Sequence, residues 1–406
     1  MKPRILLLLP QSPFDNASGA AVSSRTIAET LAANNFTVQT LCPTTIEKHN
    51  PKHDHYQDLI NLKLNPINKQ YNNQTIYHFT HKNVEHTLLK TSLSSKDWQN
   101  DTHIADTFEQ LLHQTLTTFK PHIVMTYGGS HRGPNWLNLI KQSQAALVLL
   151  IHNLAYKSAN YFNAADLIIV PSQFTADHYH NLLGSTCTPL PIPINPTTII
   201  PNQPRDPIFL TMINPSPEKG LFFAIHLAHH LATKRPDIPI LFVESRATAG
   251  HLLAAAKQHN IDLTQHESIM VTPQTDDIRD IYQITRTLIM PSIIQETGGR
   301  VAAEALINAI PTITSDRGAL PETVSTHGFP LPLPKTLNMQ NLDAPITPQD
   351  TNQWLDLIIK LTDDQAFYTQ ASQNAKAAIP RFSPETFTQK LLACLNPLLI
   401  QIANPT

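Results

Sequence analysis

The sequence predicts an α/β protein built from two doubly wound domains, on three observations. The chain has 406 residues, more than one ordinary core of about 250–300 residues holds. Short apolar runs of the kind buried on both faces of a parallel sheet alternate with amphipathic stretches. That alternation breaks at a proline-dense segment and then restarts.

The first apolar run, residues 4–9, reads as a strand covered on both faces. A loop carrying Gly19 leads to a helical stretch over 21–33 and a second strand over 36–41, which completes a βαβ unit. Comparable strand runs recur at 123–127, 146–151 and 167–170, the last followed by an amphipathic stretch over 174–183. The polar segment 44–118 gives a poorer signal, apart from a hairpin turn at Asn72 and Asn73 before a strand over 75–79. Between Thr188 and Pro207 prolines are too dense for a helix or a central strand, so this is the expected linker. The second half gives a strand over 208–213, a helix over 221–233, a strand over 240–243 and a helix over 251–259. The rhythm continues through 269–271, 278–284, 288–290, 301–307 and 312–314. Ser383, Pro384 and Glu385 are the cap, first-turn proline and first-turn acid of a last helix reaching about Ile402, with a kink at Pro397. The expected division is 1–195, 196–382 and a helical segment 383–406.

Composition narrows the function. The hydrophobic fraction of 41% supports folded cores, while 15% charged residues and a net charge of −2 leave no footprint for nucleic acid. Cys42, Cys187 and Cys394 are too scattered for a local disulfide framework or a metal knuckle, which favours a reducing cytoplasm. The apolar run 5–9 closes at Pro10, far short of a bilayer span.

The chemistry concentrates in residues 291–305. A buried strand ends near Pro291, Gly298 and Gly299 form a turn, and a helix follows, which places this loop at the carboxyl edge of a sheet. Backbone N–H groups at a helix start suit a diphosphate, and two glycines leave it room to approach. Glu296 in the loop and Glu304 on the helix would repel that diphosphate unless each serves a neutral part of the ligand, such as sugar or ribose hydroxyls. The competing reading makes Glu296 a capping acid and Glu304 an exposed helix residue.

This stretch, with two glutamates separated by seven residues, resembles the signature of glycosyltransferase family 4 (group 1). Residues 311–322 are similar to the strand and glycine loop that follow it there, with Ala319 in place of a second glycine and Ala309 in place of another. The resemblance implies a GT-B fold: two Rossmann-like domains facing across a cleft, with the C-terminal helix packing back on the N-terminal domain. It implies that Glu296 contacts the transferred sugar, that Glu304 contacts the nucleotide ribose, and that Lys219 neutralises the donor diphosphate. Asn214, Gly298, Gly299 and Arg300 complete the implied donor side. Asn214 stands where relatives carry a Gly-Arg pair, leaving Arg300 or Arg246 to substitute. In the first half, Gly19 and Ala20 look like the family's small-residue loop on the acceptor side. His152 is similar to a histidine facing the sugar, the alternative being a strand-end histidine with a local hydrogen bond. Ser172 matches a looser recurrent position.

The implied activity is transfer of a sugar from a nucleotide diphosphate sugar to a hydroxyl, by a retaining hexosyltransferase-type enzyme that needs no cofactor. A glycan, a lipid-linked glycan or a small molecule would be the acceptor. The region 21–34 carries only Arg25 as a basic residue, so no more than weak peripheral membrane contact is expected. Of 20 histidines, His226, His229 and His230 share helical spacing, and His53-Asp54-His55 forms a second cluster. Both are read as solvated surface, and with no Asp-x-Asp motif the expectation is catalysis without metal. A non-catalytic sugar-nucleotide-binding protein and a GT-B epimerase remain as alternatives. A nicotinamide dehydrogenase is disfavoured, because no Gly-x-Gly-x-x-Gly follows the first strand.

Overall fold

The computed structural model describes residues 2–403 apart from 17, 47–54, 95–96, 128–131, 246 and 276. The chain divides into two units, and the division falls at Pro193 and Ile194, inside the proline-dense stretch. Ser172–Thr175 group with the second unit, and the chain from Phe387 onward groups with the first.

The first unit runs β1 (Arg4–Leu8), α1 (Gly19–Ala33), β2 (Thr37–Pro43), α2 (His55–Asn61), then β3 (Ile67–Tyr71), β4 (Gln74–His81) and β5 (Val84–Leu89). It continues with α3 (Thr102–Phe119), β6 (Ile123–Thr126), α4 (Gly133–Gln142), β7 (Ala146–Leu150), α5 (Asn160–Asn163), β8 (Leu167–Val170), α6 (Gln173–Leu183) and β9 (Thr188–Pro189). The sheet order is β3-β4-β5-β2-β1-β6-β7-β8-β9, parallel except where β4 runs antiparallel to β3 and β5. Both turns of that antiparallel insertion hold two residues at positive φ. Asn72 and Asn73 (φ 47° and 62°) form the expected hairpin, and Lys82 and Asn83 (φ 46° and 62°) form one the sequence did not announce. The helix α3 was also unassigned. Asp101 caps it by accepting from Ile104 N at 3.0 Å, and Phe108, Leu111, Leu112 and Leu116 line its buried face.

The second unit runs β10 (Phe209–Ile213), α7 (Leu221–Lys234), β11 (Ile240–Val243), α8 (Ala249–Gln258), β12 (Ile269–Thr272), α9 (Ile278–Ile284) and β13 (Thr285–Met290). There follow α10 (Arg300–Ile307), β14 (Thr312–Ser315), α11 (Leu320–Val324), β15 (Phe329–Leu331), α12 (Pro348–Asp363) and α13 (Gln365–Lys376). The sheet order is β12-β11-β10-β13-β14-β15 and every pairing is parallel. Counted from β10 this is the dinucleotide-fold order 3-2-1-4-5-6. The core gathers α7 and α12 on one face of the sheet, where the Phe223 and Trp354 rings meet edge to face at 5.3 Å.

The last helix, α14 (Pro384–Ala403), starts where Ser383 Oγ accepts from Thr386 N at 3.1 Å. Phe387, Leu391, Leu395 and Leu398 bury its apolar stripe among Ile5, Leu7, Ile27 and Val148 of the first unit's core. The return of the C-terminal helix to the N-terminal domain is therefore observed.

Candidate active site

In the second sheet the strand order reverses between β10 and β13, the switch point at whose carboxyl edge doubly wound sheets bind ligands. The β10 loop holds Asn214 to Gly220; the β13 loop holds the glutamate–glycine stretch. Main chain stitches the two together, since Ile293 N and Ile294 N both donate to Glu218 O at 3.0 Å. Approach is closest at Gly220 (φ 87°), where a Cβ would sit 2.0 Å from Pro291 O. Only glycine fits there.

Side chains complete the junction. Lys219 Nζ donates to Glu296 Oε1, and Ser292 Oγ donates to the same oxygen at 2.9 Å. Ser292 is fully buried, and its carbonyl accepts from Ser315 Oγ at 2.7 Å. From the other side Ala319 N donates to Glu296 O at 2.7 Å. The Lys219 and Glu296 side chains keep 27% and 13% of their exposure, enough for a ligand to reach both.

Gly298 and Gly299 are buried. Thr323 Oγ1 donates to Gly298 O at 3.1 Å, and a Cβ on Gly299 would come within 2.8 Å of Leu320 Cδ2. Gly299 (φ 54°) caps α10, so what the second glycine first makes room for is α11, an intramolecular reason the sequence did not show.

Glu304 is 9% exposed, which removes the reading of it as an exposed helix residue. Tyr282 Oη donates to its Oε2 at 2.7 Å, and Arg300 Nη1 lies 3.5 Å from its Oε1. Burial pushes the Glu304 carboxyl above its ordinary range, opposed by Arg300 and by the Tyr282 hydrogen bond. The same burial lowers the Arg300 guanidinium and raises the Tyr282 phenol well above its usual value. Arg205 ties the neighbouring helix ends together. Its Nε donates to Tyr282 O at 3.1 Å, its Nη1 to Asn308 O and Ala309 O at 2.8 and 3.2 Å, and its Nη2 to Thr285 O. A cation at two helix carboxyl ends satisfies carbonyls the helices leave open.

Asn214 takes φ 58° and donates its N–H to Val243 O at 2.9 Å, while its Oδ1 is buried with no partner among the described residues. Of the two arginines expected to compensate for it, Arg300 is engaged by Glu304 and Arg246 lies outside the described residues. In the first unit Gly19 and Ala20 open α1, whose cap Ser18 accepts from Ala21 N at 3.4 Å. His152 follows β7 and sets its ring perpendicular to Tyr127 at 4.9 Å. Ser172 bonds Thr175 Oγ1 at 2.9 Å.

The α7 histidines do not converge. His226 pairs with His259 and His229 with His266, both at 2.9 Å, and His230 bonds Thr351 Oγ1 at 2.9 Å. Among the described residues no group of three or more His, Cys, Asp or Glu could hold a metal ion. His53 and Asp54 lie outside the described residues, as does the side chain of His55. Surface hollows of about 210 and 350 Å³ lie at the carboxyl end of α10, around Ile307 and Ile379, and share no residue with the Lys219–Glu296 junction.

Sequence reading missed Ser292, Tyr282 and Arg205. Ser292 sits in the signature loop four positions before Glu296, so a search for hydroxyls near the acid would have found it. Tyr282 and Arg205 carry no local signal, since their partners lie 22 and 103 positions away.

Residues 198–378 match the family described as glycosyl transferases group 1. No curated protein matches the chain. Among solved structures it is similar to a glycosyltransferase from Rickettsia africae ESF-5, at 15% identity and TM-score 0.68, covering 98% of this chain and 99% of that one. Sucrose-phosphate synthase from Thermosynechococcus elongatus is similar at 17% identity and TM-score 0.68, again covering 98% and 99%. Anabaena Alr3699/HepE, solved in complex with UDP and glucose, is similar at 15% identity and TM-score 0.66, covering 96% of this chain and 99% of that one. Among the described residues no helix is long and apolar enough to cross a membrane. With both sheets and the returning C-terminal helix in agreement with these structures, the chain has the GT-B fold, and its residues 198–378 match the glycosyl transferases group 1 family.

Proposed function

We propose that the protein transfers a sugar from a nucleotide diphosphate sugar to a hydroxyl acceptor, with retention of anomeric configuration and without a metal ion. The observation that carries this reading is the junction of Lys219 with Glu296, two residues 77 positions apart that meet at the carboxyl edge of a dinucleotide-type sheet. An ammonium has three donors. Glu296 takes one, which leaves two for phosphoryl oxygens. As the bond between sugar and diphosphate breaks, negative charge collects on the leaving group, and a fixed cation stabilises that state more than the ground state. Glu296, held by Ser292, offers its acceptor oxygens to the sugar hydroxyls. The acceptor's proton passes to the departing phosphate oxygen, so no covalent enzyme intermediate is required.

The crystallised UDP and UDP-glucose complexes of Alr3699/HepE support a nucleotide sugar as donor. A glycan, a lipid-linked glycan or a small molecule is proposed as acceptor, with Gly19, Ala20 and His152 on the acceptor side. Three scattered cysteines support a cytoplasmic setting. One observation favours a second reading, a sugar-nucleotide-binding protein without turnover: Asn214 occupies a position where an arginine would add positive charge.

A panel of nucleotide sugars tested for transfer and for slow hydrolysis separates the two. Lys219→Ala and Glu296→Gln are each expected to lower turnover by about 10²–10³-fold. Added EDTA should leave the rate unchanged, and NMR of the product should show the donor's anomeric configuration. Near-normal transfer by either variant would remove these residues from the chemistry, and nucleotide binding with no turnover on any donor would favour the second reading.

A further inference from the structure

We infer that Tyr282 is a positioning residue for the nucleotide end of the site, holding the Glu304 carboxylate in the one orientation that accepts the ribose hydroxyls of the donor. The inference rests on the functional reading above and adds a residue to it. Glu304 is buried, and a carboxylate taken out of water needs fixed donors to stay ionised and aimed. Its terminal torsion has a broad profile, so the helix alone does not set the plane of the carboxylate. Tyr282 Oη does so from one side, at 2.7 Å on Oε2. Arg300 pairs with Oε1 over a longer 3.5 Å, and because a carboxylate oxygen accepts two hydrogen bonds, Oε1 keeps capacity for a ligand hydroxyl. The carboxylate therefore has a tied oxygen and a receptive one.

Tyr282 suits this task because it is fully buried and its phenol is held well above its usual pKa, so it stays a donor across the working pH range. Arg205 fixes the distance between the two partners. It bonds the carbonyl of Tyr282 itself and those of Asn308 and Ala309 where α10 ends, so donor and acceptor stand on helices tied by one guanidinium.

The test is a double-mutant cycle on the full chain, read by calorimetric binding of UDP, ADP and GDP and by donor KM and kcat. Tyr282→Phe keeps the ring and removes the donor. It should weaken binding of the preferred nucleotide about tenfold while kcat at saturating donor changes less than about twofold. In a Glu304→Gln background the same change should add less than about twofold, because its route of action is gone. The affinity gap should also vanish for the 2′-deoxy nucleotide. The acidic limb of the binding profile should move to higher pH in Tyr282→Phe and to lower pH in Tyr282→3-fluorotyrosine, whose hydroxyl donates more strongly. That second variant keeps the ring and its hydroxyl and carries the test should Tyr282→Phe fold poorly. If the wild type binds none of the nucleotides, the functional reading falls and takes this inference with it. If the wild type binds, unchanged affinity in Tyr282→Phe or additive effects with Glu304→Gln overturn the inference alone.

Discussion

Glu296 is held at both of its ends. Lys219 and Ser292 share its Oε1, Ala319 takes its carbonyl, and Gly318 presses on its backbone. Gly318 sits at φ 61°, and a Cβ there would meet Glu296 N and O at 2.4 Å, atoms of a backbone that cannot step aside as a flexible side chain would. Gly318→Ala should therefore cost about 1–3 kcal/mol of stability, from the positive φ and the overlap. It should also displace Glu296, so turnover falls more than thermal unfolding alone explains. Parallel measurement of Tm and kcat checks this, and an unchanged kcat would show that Glu296 tolerates the shift. Around this residue the sequence was informative, because Glu296, Gly298, Gly299 and Glu304 fall within one short stretch. Tyr282 was not legible, because nothing local marks a buried tyrosine as the partner of an acid on another helix.

At the scale of elements, α7 carries histidines that the fold turns into a pH-dependent clasp. His226 Nε2 meets His259 Nδ1 and His229 Nδ1 meets His266 Nε2, each at 2.9 Å. Such a bond needs one proton between two rings, and a second proton breaks it. Burial lowers His226 to about 4, helped by His259, His230 and His229 and opposed by Asp350. Burial lowers His229 too, with His266 adding to it, and lowers His230, with His229 and Lys234 adding to it. Because these folded-state values lie below the ordinary 6.5, the unfolded chain takes up protons first. Their stabilisation is whole above that value and is lost as pH falls toward about 4. Urea unfolding at pH 7.5, 6 and 4.5 should show a declining midpoint. The paired change His226→Gln with His259→Gln should flatten the decline, and an equal slope in both proteins would rule the clasp out. The sequence placed these histidines at helical spacing but could not pair them, since their partners come from later turns that only packing brings alongside.

At the scale of the molecule, α14 leaves the second unit in sequence and completes the first in space. Phe387, Leu391, Leu395 and Leu398 are each nearly fully buried, and burying a side chain of this size stabilises by about 1.5–3 kcal/mol. Their sum rivals the whole stability of an ordinary domain, about 5–15 kcal/mol. Truncation after Ser383 should therefore unfold the first unit at much lower temperature while the second keeps its own transition. Scanning calorimetry of the full and shortened chains would show it, and an unchanged thermogram would mean that the helix adds nothing to the core it covers.

The sequence by itself determined the class and rhythm of the fold, because strands buried on both faces and helices between them leave periodic apolar marks that need no partner to be read. It also marked the glutamate–glycine stretch of the β13 loop as a candidate site, because those residues are neighbours in the chain. Tertiary structure alone decided which distant residues complete that loop. The reversal of strand order beside β10 set Lys219 against Glu296, and the fold brought the buried Glu304 of α10 against the hydroxyl of Tyr282 on α9. Contacts of this kind arise from long-range packing, and local propensity carries no record of them.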